Sequence, residues 1–515
     1  MNERIRRFTL ACAALAPAAL IACTSAAQDA HSQHGHVTFQ TSCNAEAQAH
    51  FERGLGHLHH MMYEQARPEF GRATEADDRC AMAHWGIAMT NFQPLWHPTS
   101  GEGLERGRAA ISTARSIGTP TEREAGYLSA VAAFFADPEP AESGRAADHR
   151  ARIRAWERAQ RTLHERHPED VDAAAFYALA QVAHATALFS PTEAQDYSRQ
   201  IRAGALLEGY FDEHPEHPGL YHYLIHAYDS PALAQRAEAA ARGYDRLAPE
   251  TTHALHMPSH IFVRLGRWEE TAELNARSAE AALQHPVNGM TSMHYPHALD
   301  YMMYAYLQIG DDEGARETLR RVEDIYRSEG TFAAAYGIAA ARARFHLERG
   351  EWAEAARLEP RAPQALAWED HPAAEALIHY ARGLGAARSD DPGRAASERE
   401  RIAEAVTALR DAGDDYWAYT TEALGQAVEA WIVYERGATE EALALMSAAA
   451  DLEESMDKHP VSPGEVLPVR ELHAALLARE GRDDEARAAY QRSLERTPNR
   501  RNAMNGLERL TTVER

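Results

Sequence analysis

Lysine is nearly missing from this sequence: Lys458 is the single one among 53 lysine and arginine residues. With so much alanine around it, that scarcity reads as codon bias more than function. Positive charge is short overall. Acidic residues number 77 and the net charge is −24, a field that repels nucleic acid and anionic membranes and argues against both as partners. No apolar run reaches the ~20 residues of a membrane-spanning helix. The His-Glu-x-x-His helix of zinc proteases does not occur either. What is present, 45% hydrophobic and 25% charged residues, is an ordinary globular mix and excludes wholesale disorder.

The first residues read as an export signal. Arg4, Arg6 and Arg7 precede a short apolar stretch from Phe8 to Ala22 that Pro17 interrupts. Leu20-Ile21-Ala22-Cys23 resembles the lipobox of bacterial lipoproteins. That resemblance implies lipidation of Cys23, with membrane attachment only through this anchor. Thr24 then implies the periplasm or outer membrane as the location. Cleavage after Ser25-Ala26-Ala27 is the alternative. Residues 1–23 are therefore expected to be a signal peptide, and 24–43 a flexible tether containing His31, His34 and His36. Removing the leader leaves Cys43 and Cys80, a disulfide candidate in an oxidising compartment.

From residue 44 to 515 the chain repeats itself. A glycine is followed five residues later by a small residue at Gly266/Thr271, Gly310/Ala315, Gly350/Ala355, Gly437/Ala442 and Gly481/Ala486. A proline follows the small residue by twelve at Ala203/Pro215, Ala237/Pro249 and Ala486/Pro498. Glycine permits the tight turn between antiparallel helices, the small residue lets their axes approach, and proline stops the second helix. Ala486-x3-Tyr490 with Pro498, and Ala66-x3-Phe70 after Tyr63-Glu64-Gln65, resemble the tetratricopeptide repeat (TPR) on its period of about 34 residues. The resemblance implies an all-α, right-handed, TPR-like solenoid of about eleven helical hairpins with a C-terminal capping helix near 499–511. One continuous solenoid thus replaces the three or four domains that length alone predicts. Such folds present a concave groove, and a protein or peptide partner is the expectation that follows.

Histidine follows the repeat phase. Counting back thirteen, ten and six residues from the turn gives one helix face per repeat. From Gly266 these positions are His253, His256 and His260; from Gly310 they are His297, Asp300 and Tyr304; one repeat earlier they are Gly219, His222 and His226. Six of nine are histidine, where 28 histidines in 515 residues predict about half of one. Tyr177, Gln181 and His184 hold the analogous face one repeat before. Pairs of histidines at i and i+4 on neighbouring helices can hold zinc, copper or iron, with Asp300 as a ligand or an orienting group. The ion would be carried by His222, His226, His256 and His260, and by activating water it would make the protein a metal-dependent hydrolase. The same residues can instead bind a peptide or small ligand through hydrogen bonds, or fill a polar groove. The run His256-Met257-Pro258-Ser259-His260-Ile261, with His222-x3-His226 upstream and His297-Ala298-Leu299-Asp300 downstream, resembles a group of exported bacterial TPR proteins. Pro258 lacks a backbone N–H, so a helix is expected to kink or start there. His57, His59 and His60 beside Met61 and Met62, and Trp85, Met89, Phe92 and Trp96, read first as core, with Trp96 and His97 in a loop able to rim the groove.

Overall fold

A computed structural model describes residues 35–513 apart from 97, 138–144 and 188–195. The leader, Cys23, most of the tether and His97 lie outside the described residues. Everything described is helix and connecting loop, with only two isolated β-bridges. The fold is an all-α array of helical hairpins. Eleven hairpins follow one another from Ala45–His59 paired with Tyr63–Ala76 to Val469–Arg479 paired with Asp483–Arg496. Arg501–Val513 closes the array.

The repeat marks do the physical work expected of them. Gly266, Gly310, Gly350, Gly437 and Gly481 all have φ between 64° and 85°, the left-handed conformation a β-carbon disfavours. The small residues that follow, Thr271, Ala315, Ala355, Ala442 and Ala486, are fully buried. Asp312–Glu323 is a typical second helix. The Asp311 carboxylate accepts the Gly314 N–H, Asp312 and Glu313 sit in the first turn, and Arg320 and Arg321 in the last. Capping and dipole therefore agree on both ends. Ala315, Thr318 and Val322 form its buried stripe. Pro258 divides one first helix into Thr252–His256 and Pro258–Arg264. A Cys43–Cys80 disulfide ties the start of the first helix to that of the third.

The array coils back on itself. The first hairpin packs on the fifth, with the His59 carbonyl 2.6 Å from His222 Nδ1. At the other end, Trp268 Nε1–H donates to the Asn499 carbonyl at 3.0 Å and the Arg501 N–H to Gln308 at 2.9 Å. The loop between Thr439–Glu454 and Val469–Arg479 enters the interior, where Arg344 donates to the carbonyls of Gly464 and Glu465. At the histidines the interior is covered by the first hairpin, through His59, and by the loop after Thr439–Glu454, through Lys458 to Val461. Contacts spanning 120 to 233 residues produce that closure, and no local pattern encodes them. The apolar core divides into two large clusters, one within residues 37–274 and one within residues 279–510, and a small third of Val263, Trp268, Tyr301 and Tyr304. The phased histidines lie where the two meet.

A buried histidine centre

Three stretches of helix bring seven imidazoles together. Pro218–Tyr228 carries His222 and His226, the split helix carries His253, His256 and His260, and His294–Ile309 carries His294 and His297. His222, His226 and His253 form one triad, and His256, His260 and His297 a second; within each, one ligating atom per residue lies within 4.8 Å of the others. The triads adjoin, with ring centroids 5.8 Å apart for His226 and His260 and 6.0 Å for His253 and His256. All six residues are buried.

Hydrogen bonds from outside the centre fix which nitrogen faces inward. His222 Nδ1 donates to the His59 carbonyl at 2.6 Å. Asn275 Nδ2 donates to the Thr271 carbonyl, so Asn275 Oδ1 is the acceptor for His256 Nδ1 at 2.7 Å. His260 Nδ1 donates to Asp229 Oδ2 at 3.0 Å. In their neutral forms these three rings therefore turn Nε2 lone pairs into the centre, where the Tyr301 hydroxyl lies 3.4 Å from His260 Nε2 and 3.0 Å from the Ser462 carbonyl. His256 Nε2 and His260 Nε2 are 3.0 Å apart, and His222 Nε2 and His226 Nε2 are 3.2 Å apart. Among the described residues neither ring nitrogen of His253 has a hydrogen-bond partner, nor has Nδ1 of His297.

Burial keeps these rings neutral. Desolvation, the largest cause in each case, holds His226, His253, His256 and His297 well below the ordinary imidazole value and lowers His260 despite the Asp229 carboxylate. It takes His222 down to about 3. Asp229 is itself held well below the carboxylate range: against the upward push of its burial, Lys458 leads the opposing contributions, followed by Arg264 and His260. Lys458 Nζ lies 2.8 Å and Arg264 Nε 3.0 Å from its oxygens. The sole lysine thus sits beside the centre, where composition gave no reason to look for it. A cavity of about 50 Å³ adjoins the histidines, walled by Leu95, Trp96, Phe332 and Val461.

Other residues expected at this site lie elsewhere. Asp300 shares a helix with His297 but faces Arg344, 3.2 Å away. Tyr304 packs on Trp268 and accepts a hydrogen bond from Arg500 at 2.9 Å. Tyr177 stacks on His164, His184 pairs with Glu157, and Gln181 is buried. Met61 and Met62 are core. His59, which read first as core, lies in a third cluster with Asp172 and His217, in which Asp172 Oδ2 and His217 Nδ1 have no hydrogen-bond partner among the described residues. His59 Nε2 and His217 Nε2 both donate to Asp172 Oδ1, at 2.8 and 3.1 Å, and Tyr223 OH meets His59 Nδ1 at 3.1 Å. The phase count missed His294, Asn275, Asp229, Lys458 and His459. His294 was findable as the residue three before His297; the others reach the site only through tertiary packing.

Fold and site together define a helical-repeat protein enclosing a buried polyhistidine centre. No protein-family model matches the chain, and no curated protein matches it. Among solved structures it is similar to the APC/C hetero-tetramer Cut9–Hcn1, at 13% identity and TM-score 0.39 over 95% of this chain and 81% of that one. It is similar to yeast Tom70 at 10% identity and TM-score 0.37, over 85% and 90%. It is also similar to the human IFIT1 dimer with m7Gppp-AAAA at 11% identity and TM-score 0.35, over 95% and 99%.

Proposed function

We propose that this protein is a metalloprotein that holds two transition-metal ions, one in each histidine triad. One observation carries the reading. The lone pairs of His256 Nε2 and His260 Nε2 face each other at 3.0 Å in a buried site, closer than the Tyr301 hydroxyl at 3.4 Å. Two such lone pairs repel unless a cation lies between them. A proton is disfavoured, since burial lowers the affinity of both rings for one. Two nitrogens bound to one ion at about 2.0–2.1 Å in tetrahedral geometry lie about 3.3–3.4 Å apart, close to what both facing pairs already have. Outward Nδ1–H groups bonded to carbonyl, amide and carboxylate oxygens are the orientation that metal-ligating histidines need. Imidazole suits zinc, copper, iron or nickel.

Elemental analysis of protein purified without an affinity tag tests this. About two ions per chain are expected, falling to about one in His226→Ala or His260→Ala. Metal-free protein whose melting is indifferent to chelator would overturn it.

A second reading, a scaffold that captures a protein or peptide, draws on the helical-repeat architecture. With the interior filled by the chain itself, its partner would dock on the outer surface. A co-purifying protein retained by metal-stripped material would favour it. Export and lipidation at Cys23 belong to the same proposal. They predict that Cys23→Ser moves the protein from the membrane to the soluble fraction.

A further inference from the structure

We infer that the two triads bind dioxygen between a pair of copper ions, which would make this protein a dioxygen carrier or sensor. The inference rests on the two-ion reading above and adds the metal and its ligand.

Charge selects the metal. Neither triad contains a carboxylate or thiolate; all six ligands are neutral imidazoles. The nearest carboxylate, Asp229, is already opposed by Lys458 and Arg264. Two divalent ions would bring four positive charges into this interior with nothing left to offset them, and the cost of burying an ion rises steeply with its charge. Two cuprous ions bring two. Imidazole is a good ligand for copper, and the divalent series also peaks there.

Space selects the ligand. The adjoining cavity of about 50 Å³ is bounded by His253, His294, Trp96, Phe332 and Val461. A single water needs about 10–15 Å³ on this measure, so the space admits a few waters or a diatomic gas. A peptide would not fit within it, and the larger opening of about 240 Å³ beside it, which shares Trp96, Met293, His294 and Thr331, is lined by none of the six triad histidines. An uncharged diatomic also suits the apolar walls.

The reaction balances without a further reagent. Each cuprous ion gives one electron, dioxygen takes both, and its O–O double bond becomes the single bond of a peroxide bound to the two cupric ions. No proton moves. The net charge is two before and two after, so the site meets the same electrostatic demand in both states. The reverse transfer releases dioxygen.

The test uses full-length protein stripped of metal, reloaded anaerobically with cuprous ion and then exposed to air. Two coppers per chain are expected. So is a peroxide-to-copper charge-transfer band in the near ultraviolet that appears with oxygen and fades under vacuum, with no cupric electron-spin resonance because the paired spins couple. Two coppers with no band and an isolated cupric signal would overturn the dioxygen inference while leaving the two-ion centre standing. Failure to bind copper or any other ion would overturn both. Because His260→Ala also removes a buried hydrogen bond to Asp229, Ala333→Leu serves as the second variant. Ala333 lines the cavity without being a ligand, so copper should remain at two while the band is lost; a band of full intensity would overturn the inference.

Discussion

Lys458 Nζ and His260 Nδ1 meet on a single oxygen, Asp229 Oδ2, at 2.8 and 3.0 Å. A loop residue almost 200 positions downstream thereby sets the charge environment of a candidate metal ligand. Lys458 is nearly inaccessible, its side chain 4% exposed. Amine-reactive reagent should therefore label only the N-terminal amine of the native protein. In denaturant Lys458 should label as well, and peptide mass spectrometry distinguishes the two results. Fast native labelling of Lys458 would mean that this loop opens freely.

Lys458→Met removes one partner of a buried ion pair. Such losses cost about 3–5 kcal/mol; Arg264 stays with Asp229, so the low end, about 3 kcal/mol, is expected. Urea unfolding of the metal-free protein measures it.

The oxygens that fix the ring orientations should matter to metal affinity as much as to folding. Asp229→Asn and Asn275→Ala leave every ligating nitrogen in place but loosen the rings of His260 and His256. Losing an outer-shell partner of this kind costs about 10–100-fold in affinity. Competition against a chelator of known strength reads the change. Asp300→Asn, whose carboxylate faces Arg344 instead of the centre, should leave affinity unchanged within twofold and serves as the control.

The disulfide between Cys43 and Cys80 closes a loop 37 residues apart in sequence. Loop-closure entropy for that length amounts to about 4 kcal/mol. The Cys43→Ser, Cys80→Ser double variant should unfold at lower urea by that amount or somewhat less. The change should leave metal content untouched, because the pair lies in the first core cluster and away from the histidines.

The hairpins were legible because they rest on local chemistry. Glycine at each left-handed turn, a small residue in the close approach and a proline stop repeat at fixed spacing, and Gly310 with Ala315 does in space what its spacing implies. The histidine face was legible for the same reason, since His222 and His226 must share a helix face with each other. What the sequence withheld is how the coil closes. Nothing near Asp300 announces that Arg344 will claim it, nor does anything near Lys458 place it on Asp229. Both contacts depend on loops that travel across the interior. The same closure lays the first hairpin and the Lys458–Val461 loop over the histidines and buries them.

Acid should destabilise the metal-free protein well before its carboxylates titrate. Burial takes His222 down to about 3, against an ordinary value near 6.5. The folded value lies below the unfolded one, so the unfolded chain binds the proton first as pH falls. The stabilisation is therefore complete above about pH 6.5 and is lost progressively between there and the folded value. Going from pH 7.5 to 5.5, this one ring costs about 1.4 kcal/mol. His226, His253, His256 and His297 are shifted in the same direction by the same cause, so each adds a loss of the same sign. Bound metal should oppose the loss until protons displace it. Urea midpoints at pH 7.5 and 5.5, with and without metal, give the comparison. His222→Phe, which cannot take up a proton, should flatten the metal-free profile, and an unchanged slope would mean that the ring is hydrated in solution.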